Sequence, residues 1–325
     1  LVSRRGELVL EHYWAGTDFA SLESSDSFAE TVAALMTGIA LGEHVIHALD
    51  DPASKYLPEW QGEARGAITV RNLLQMSSGL EEQDFSVLPW SPSVHEYLGS
   101  DLIARELARP LAGRPGATFA HQSVDAQLLA LIVQRAAGMR YAQYVSSKLW
   151  KPVGAGDAYV WLDHEGGMAH AECCLLARQG DWLRIAELLL SDGVFQGQRV
   201  LPRGWVREML TASKGNASYG YQIRLGAPFA AQRPARRDRR QFASGALEPY
   251  ASDDVFLLEG SGTMRLWLVP SLGLAVLRTG GDPAAALGWD ESKIPNLIIR
   301  GVRDRPEARR PAGGAVDLSK LVPAH

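Results

Sequence analysis

Ser27-Phe28-Ala29-Glu30 sets a hydroxyl and a carboxylate three residues apart, just ahead of an apolar run. Two chemistries suit that spacing. Serine and glutamate at the first and fourth positions of a helix start form a capping box, each side chain satisfying a free backbone N–H. A serine at a helix N-terminus also lies among unpaired N–H groups and the positive end of the dipole, which favours negative charge developing there. Cap and nucleophile are compatible roles. Phe28, Val32, Leu35, Met36 and Ile39 recur at helical spacing, so a buried helix is expected over 27–41, starting at Asp26 or Ser27.

The other chemistry-bearing residues read more plainly. His44 and His47 flank a turn and are expected at the surface. His164, Glu165 and His170 lie in a Gly-containing segment, where a loop hydrogen-bond network is the expectation rather than a metal site. Cys173 and Cys174 are adjacent, a spacing that disfavours a mutual disulfide and matches no metal-ligand pattern. No metal or cofactor is called for. Met168 and Met264 are expected in packing or pocket walls.

These residues need a scaffold, and 325 residues at 46% hydrophobic composition can bury a large core, as one big domain or two closely packed ones. With 33 basic against 37 acidic residues and a net charge of -4, nothing favours nucleic acid or an anionic membrane. No apolar run approaches a membrane span. The chain begins Leu1-Val2-Ser3 and shows no charged-then-apolar export signal, so the sequence assigns no compartment. The expected partner is a small-molecule substrate.

LVSRRGELVLEHYW predicts a hairpin about Arg5-Gly6. VDAQLLALIVQRAAG, closed by Gly138, and YAQYVSSKLW predict helices in a middle third with little strand character. DWLRIAELLLSDG and GWVREMLTA carry apolar stripes. TMRLWLVP and LGLAVLRTG predict an antiparallel hairpin about Pro270 to Gly273, and DESKIPNLIIRGV a closing helix. The basic run at 233–241 is expected to be a solvated loop, and the tail from Arg305 an irregular surface segment. The fold class is thus α+β: an antiparallel sheet built from both chain ends, flanked by helices, with an inserted helical lobe. The sheet subdomain is expected over 1–24 and 160–325, and the helical one over 25–159.

Several segments carry a family resemblance: TVAALMTGIALGEHVIHALDDPASKYLPEW, ITVRNLLQMSSGL, RPGATF, LLALIVQRAAG, YVSSKLWKPVG and RLWLVPSLGLAVLRTG. In this order they resemble the class C β-lactamases, related esterases and penicillin-binding proteins. The resemblance implies the β-lactamase/transpeptidase-like fold and puts Ser27 on the family's nucleophile. Glu30 falls on its catalytic lysine. His121, in Phe119-Ala120-His121-Gln122-Ser123, falls on the tyrosine of the second motif, with Ser123 on that motif's third residue. In the third motif a basic residue is expected, yet the stretch reads Glu259-Gly260-Ser261-Gly262-Thr263-Met264. Ser261 and Thr263 are the matching residues there, and the Met264 N–H would join the Ser27 N–H in the family's oxyanion hole.

The family's lysine and tyrosine share the transfer of the serine proton; neither is present. A carboxylate in place of an ammonium changes each interaction at about 4 Å by roughly 4 kcal/mol from neutral, at an effective dielectric near 20. Ordinary β-lactamase activity is therefore not expected. Histidine suits proton transfer near neutral pH, and glutamate can orient it, so Ser27, His121 and Glu30 could make a triad recognised by geometry. Three functions follow: a serine hydrolase or acyltransferase acting on an ester or amide; a non-catalytic ligand-binding descendant; or an acid/base enzyme, such as a cyclase, isomerase or lyase, using Glu30 and His121 without an acyl-serine. The last would suit an amine-bearing or aromatic substrate.

Overall fold

Arg5 and Gly6 both adopt positive φ, 52° and 78°, the left-handed pair that a tight turn between right-twisted strands needs. They join β1 (Val2–Arg4) to β2 (Glu7–Leu10). The computed structural model describes residues 1–14, 16–82, 88–229, 245–281, 289–303 and 316–317; the basic run at 233–241 lies outside them. After β3 (Leu22–Ser24) come α1 (Phe28–Gly42), the short α2 (Val70–Leu74), α3 (Pro92–Leu98) and α4 (Leu102–Ala108), then α5 (Ser123–Ala137) and α6 (Tyr141–Val145). The chain continues through β4 (Tyr159–Val160), β5 (Leu175–Arg178), α7 (Gln179–Leu190), the hairpin β6 (Val194–Phe195) and β7 (Gln198–Arg199), and α8 (Trp205–Met209). It ends with β8 (Arg224–Leu225), β9 (Phe256–Glu259), β10 (Arg265–Val269), β11 (Leu274–Arg278), α9 (Lys293–Gly301) and β12 (Val316–Asp317).

Seven strands form one antiparallel sheet in the order β12-β2-β1-β11-β10-β9-β8, and β3-β5-β4 form a smaller one. The first strands of the chain thus pair with the last, Val2 opposite Val276. Alternation along the central hairpin sends Leu266, Leu268, Ala275 and Leu277 into the main core, and Trp267, Val269, Leu274 and Val276 into a second core with Ile294 and Ile298 of α9. Both faces of the sheet are covered, which is why β10 and β11 read as continuous apolar runs rather than alternating ones.

α1 is the central helix: residues 28–40 are all buried, and it packs between α5 and the sheet. Gly38 permits that packing, since a Cβ there would stand 2.2 Å from the Trp205 ring. Gly138 closes α5 at φ 62°, as its sequence predicts. His44 and His47 are exposed. The segment 163–168 is a hydrogen-bonded loop in which Asp163 pairs with His164 at 3.0 Å and accepts from Met168 N–H.

Three expectations need correction. Cys173 and Cys174 are joined as a vicinal disulfide, made possible by the left-handed φ of 68° at Cys174. α8 covers five residues, less than its apolar stripe implied. Two residues of the tail, Val316 and Asp317, pair with β2, because the edge of a sheet offers unpaired N–H and C=O groups.

Candidate active site

Ser27 is the N-cap residue of α1, but its side chain makes no capping hydrogen bond. The capping box is not formed, because Glu30 turns inward instead of reaching back. Glu30 is 2% exposed; its Oε1 accepts from Ser123 Oγ at 3.0 Å, and its Oε2 lies 3.3 Å from His121 Nε2. The strand before α1 is fixed by Ser25, whose N–H donates to the Leu175 carbonyl at 2.8 Å and whose Oγ accepts from Leu175 N–H at 3.2 Å. His121 and Ser123 sit at the start of α5. Ala120 N–H donates to the Met76 carbonyl and Gln122 Nε2 to Ser78 Oγ, each at 2.9 Å. The packing of α5 on α1 therefore carries the second motif onto the first.

Burial would push the His121 pKa down, but the Glu30 carboxylate, by its charge and its hydrogen bond, outweighs this and raises it to about 9, with Glu259 and Asp125 adding to the pull. The imidazole is thus an imidazolium at neutral pH, paired with a carboxylate. This revises the expected base at pH 7: there the resting pair is better suited to donate a proton or hold a negative charge. His121 keeps 44% of its side chain exposed, so water screens the pair on its outer edge. Asp125, fully buried below, has its pKa raised to about 8 by burial, with Ser78 drawing it down and Glu30 adding to the rise. Burial among the Glu30 and Glu259 charges also keeps the Tyr219 phenol un-ionised, and its ring meets His121 edge-on at 6.1 Å.

The third-motif stretch forms the β9–β10 turn. Gly260 N–H donates to the Met264 carbonyl at 3.0 Å, and Met264 N–H to the Ser261 carbonyl at 3.3 Å. Met264 therefore does not offer a free N–H to an oxyanion hole, and its side chain is part of the main core. Ser261 is exposed and its N–H bonds the Asp26 carboxylate, whose pKa is raised by burial and eased down by Ser24 and this bond. Thr263 is 1% exposed, and its Oγ1 has no partner among the described residues. The cleft itself is lined by Ser27, Glu30, His121, Tyr219, Arg224 and Glu259, with Thr31, Gln222, Ile223 and Leu257, and encloses about 10 Å³, room for about one water. Ser123 reaches it through Glu30, and Ser261, Thr263 and Met264 are not among the described residues that line it.

Two arginines, from β8 and β10, pair with the glutamate that opens the third-motif stretch. Arg224 contacts Glu259 at 2.7 Å and Glu291 at 3.1 Å; Arg265 contacts Glu259 at 3.2 Å and Glu291 at 2.8 Å. Burial alone would raise the Glu259 pKa, yet Arg224, Arg265 and His121 hold it below its ordinary value. Sequence reasoning missed Arg224, Tyr219 and Glu259 as cleft residues. Glu259 was visible at the motif position normally basic; Arg224 and Tyr219 belong to no local pattern.

Comparison with known proteins bears on the family and the fold. The profile of the family described as Beta-lactamase matches residues 27–221. The 6-aminohexanoate-dimer hydrolase of Paenarthrobacter ureafaciens is 28% identical over 229 residues, 67% of this chain and 58% of its own length. The chain thus spans little more than half of that relative. A Bacillus anthracis protein provisionally assigned as a 6-aminohexanoate-dimer hydrolase superimposes with TM-score 0.70 at 20% identity, over 92% of this chain and 75% of its own. A penicillin binding protein from Bacillus halodurans gives TM-score 0.62 at 12% identity, over 87% of each chain.

Proposed function

We propose, from the premise that this chain belongs to the β-lactamase family, that it is a serine hydrolase cleaving a small linear amide or ester, with Ser27 as nucleophile and the Glu30–His121 pair moving its proton. The observation that carries this reading is the 3.3 Å contact of His121 Nε2 with buried Glu30 in the cleft that also holds Ser27. An amide is favoured over a β-lactam because the curated relative is named for hydrolysis of an amino-acid dimer. Chemistry agrees: an amide's leaving amine must be protonated, and an imidazolium can donate that proton.

Attack by Ser27 needs the unprotonated imidazole, which grows as pH approaches about 9. kcat/KM for p-nitrophenyl esters and aminohexanoate-type amides should rise toward pH 9, while turnover of chromogenic cephalosporins and penicillins stays negligible. Ser27→Ala should remove the activity by about 1,000-fold or more without unfolding the protein, and a fluorophosphonate probe should add to Ser27 in intact-protein mass. Activity that survives Ser27→Ala would end the acyl-serine reading.

One observation favours a second reading, the ligand-binding descendant. In this structure the cleft has room for about one water, and the Met264 N–H is engaged in a turn. Absence of any fluorophosphonate adduct on folded protein, together with absence of ester hydrolysis, would decide for it.

A further inference from the structure

The stretch from His170 to Cys174 holds chemistry that the Ser27 cleft does not use. A ring nitrogen of His170 and the sulfurs of Cys173 and Cys174 lie within 4.8 Å of one another, and the two sulfurs are joined. Glu172 backs them: its Oε1 is 2.8 Å from His170 Nδ1 and 3.6 Å from Cys173 Sγ. Its Oε2 is buried without a hydrogen-bond partner among the described residues, as is the Tyr141 hydroxyl. Tyr141, His170 and Cys173 line a pocket of about 190 Å³ behind α1, far larger than the cleft. A buried acceptor left unsatisfied is destabilising, and a nearby cation would offset that.

We propose that reduction of the Cys173–Cys174 disulfide turns His170, Cys173 and Cys174 into a three-ligand site for a thiophilic divalent metal ion such as Zn²⁺, so that disulfide and bound metal are mutually exclusive states. Two thiolates and an imidazole are the donor set that a zinc-like ion prefers over calcium or magnesium. When Nδ1–H donates to Glu172, the His170 lone pair stands on Nε2, and this carboxylate–histidine pairing is the usual support of a metal-bound imidazole. The backbone is held firmly: His170 N–H donates to the Trp161 carbonyl at 3.0 Å, Ala171 N–H to Gln127 Oε1 at 2.8 Å, and Trp161 N–H to the Cys174 carbonyl at 3.2 Å. A fourth, tetrahedral position would remain for water or for a small ligand from the pocket.

The chemistry balances with a dithiol as reductant. Exchange breaks the protein S–S bond, forms two protein thiols and leaves the reductant as its own disulfide. Metal binding then releases the two thiol protons.

The test is equilibrium dialysis of the full chain against Zn²⁺, with Cd²⁺ as spectroscopic probe, before and after dithiol reduction and desalting without oxygen. The reduced protein should take up one equivalent and show a thiolate-to-cadmium charge-transfer band; the disulfide form should take up none. Glu172→Gln should weaken the affinity about 10–100-fold, and Cys173→Ser should abolish stoichiometric binding. Because a change at His170 risks unfolding, Co²⁺ absorption of reduced wild type serves as the independent check, with a tetrahedral thiolate spectrum expected. A reduced protein that binds no metal, an unchanged affinity in Cys173→Ser, or equal uptake by the disulfide form would each overturn the proposal.

Discussion

Two groups of buried charge meet at Glu259, and they are built on different terms. Arg224, Arg265, Glu259 and Glu291 sum to zero, and the set is closed further by the Tyr250 hydroxyl donating to Glu291 at 2.7 Å and by Arg265 donating to the Gly260 and Met264 carbonyls. Every strong donor there has found an acceptor, at the junction of β8, β9 and β10. Glu30 and His121 also balance, but His121 stays partly in water and the Ser27 hydroxyl beside them makes no cap. The closed set holds strands together; the open pair can exchange a proton.

The largest expected effect comes from breaking the closed set. Glu291→Gln leaves two guanidinium groups facing one carboxylate and should cost about 3–5 kcal/mol of stability, read by urea unfolding, with no change in the pH at which His121 titrates. Glu30→Gln should act in the opposite way. It should bring the His121 pKa from about 9 back toward 6.5, seen by NMR titration, and lower the pH at which any activity rises.

Stability should follow pH in two separable windows. His121 has a raised folded pKa, so its contribution is complete below about 6.5 and is lost as pH rises through about 9. Asp125 keeps a proton in the fold that the unfolded chain has released, so stability should also decline from about pH 4 to about 8. Asp125→Asn should flatten the lower window only, and His121→Asn the upper only; a single common window would mean the two groups titrate as one unit. The smallest effect is expected from Ser123→Ala, which removes one hydrogen bond to a charged partner and should cost about 1.5–3 kcal/mol while leaving the closed set intact.

Much of the scaffold was legible in linear order. The opening hairpin, α1, α5 with its Gly138 stop, α7, the β10–β11 hairpin and α9 each rest on periodicity and turn residues within a dozen positions, which local physics enforces. The pairing of Glu30 with the His121 segment was legible only through the family resemblance, since 91 residues separate them and nothing local links them.

What the sequence by itself determined is the set of elements and the identity of the candidate groups: a serine ahead of a buried helix, a carboxylate one turn on, a histidine before α5. Only the tertiary structure decided what those groups do. Packing of α5 on α1 turned Glu30 from cap to ion-pair partner, because its buried carboxylate meets Ser123 and His121 there. The β9–β10 turn consumed the Met264 N–H within its own hydrogen bonds. Arg224 and Arg265 came together with Glu259 and Glu291 in one balanced set, because folding sums charge over space and not along the chain.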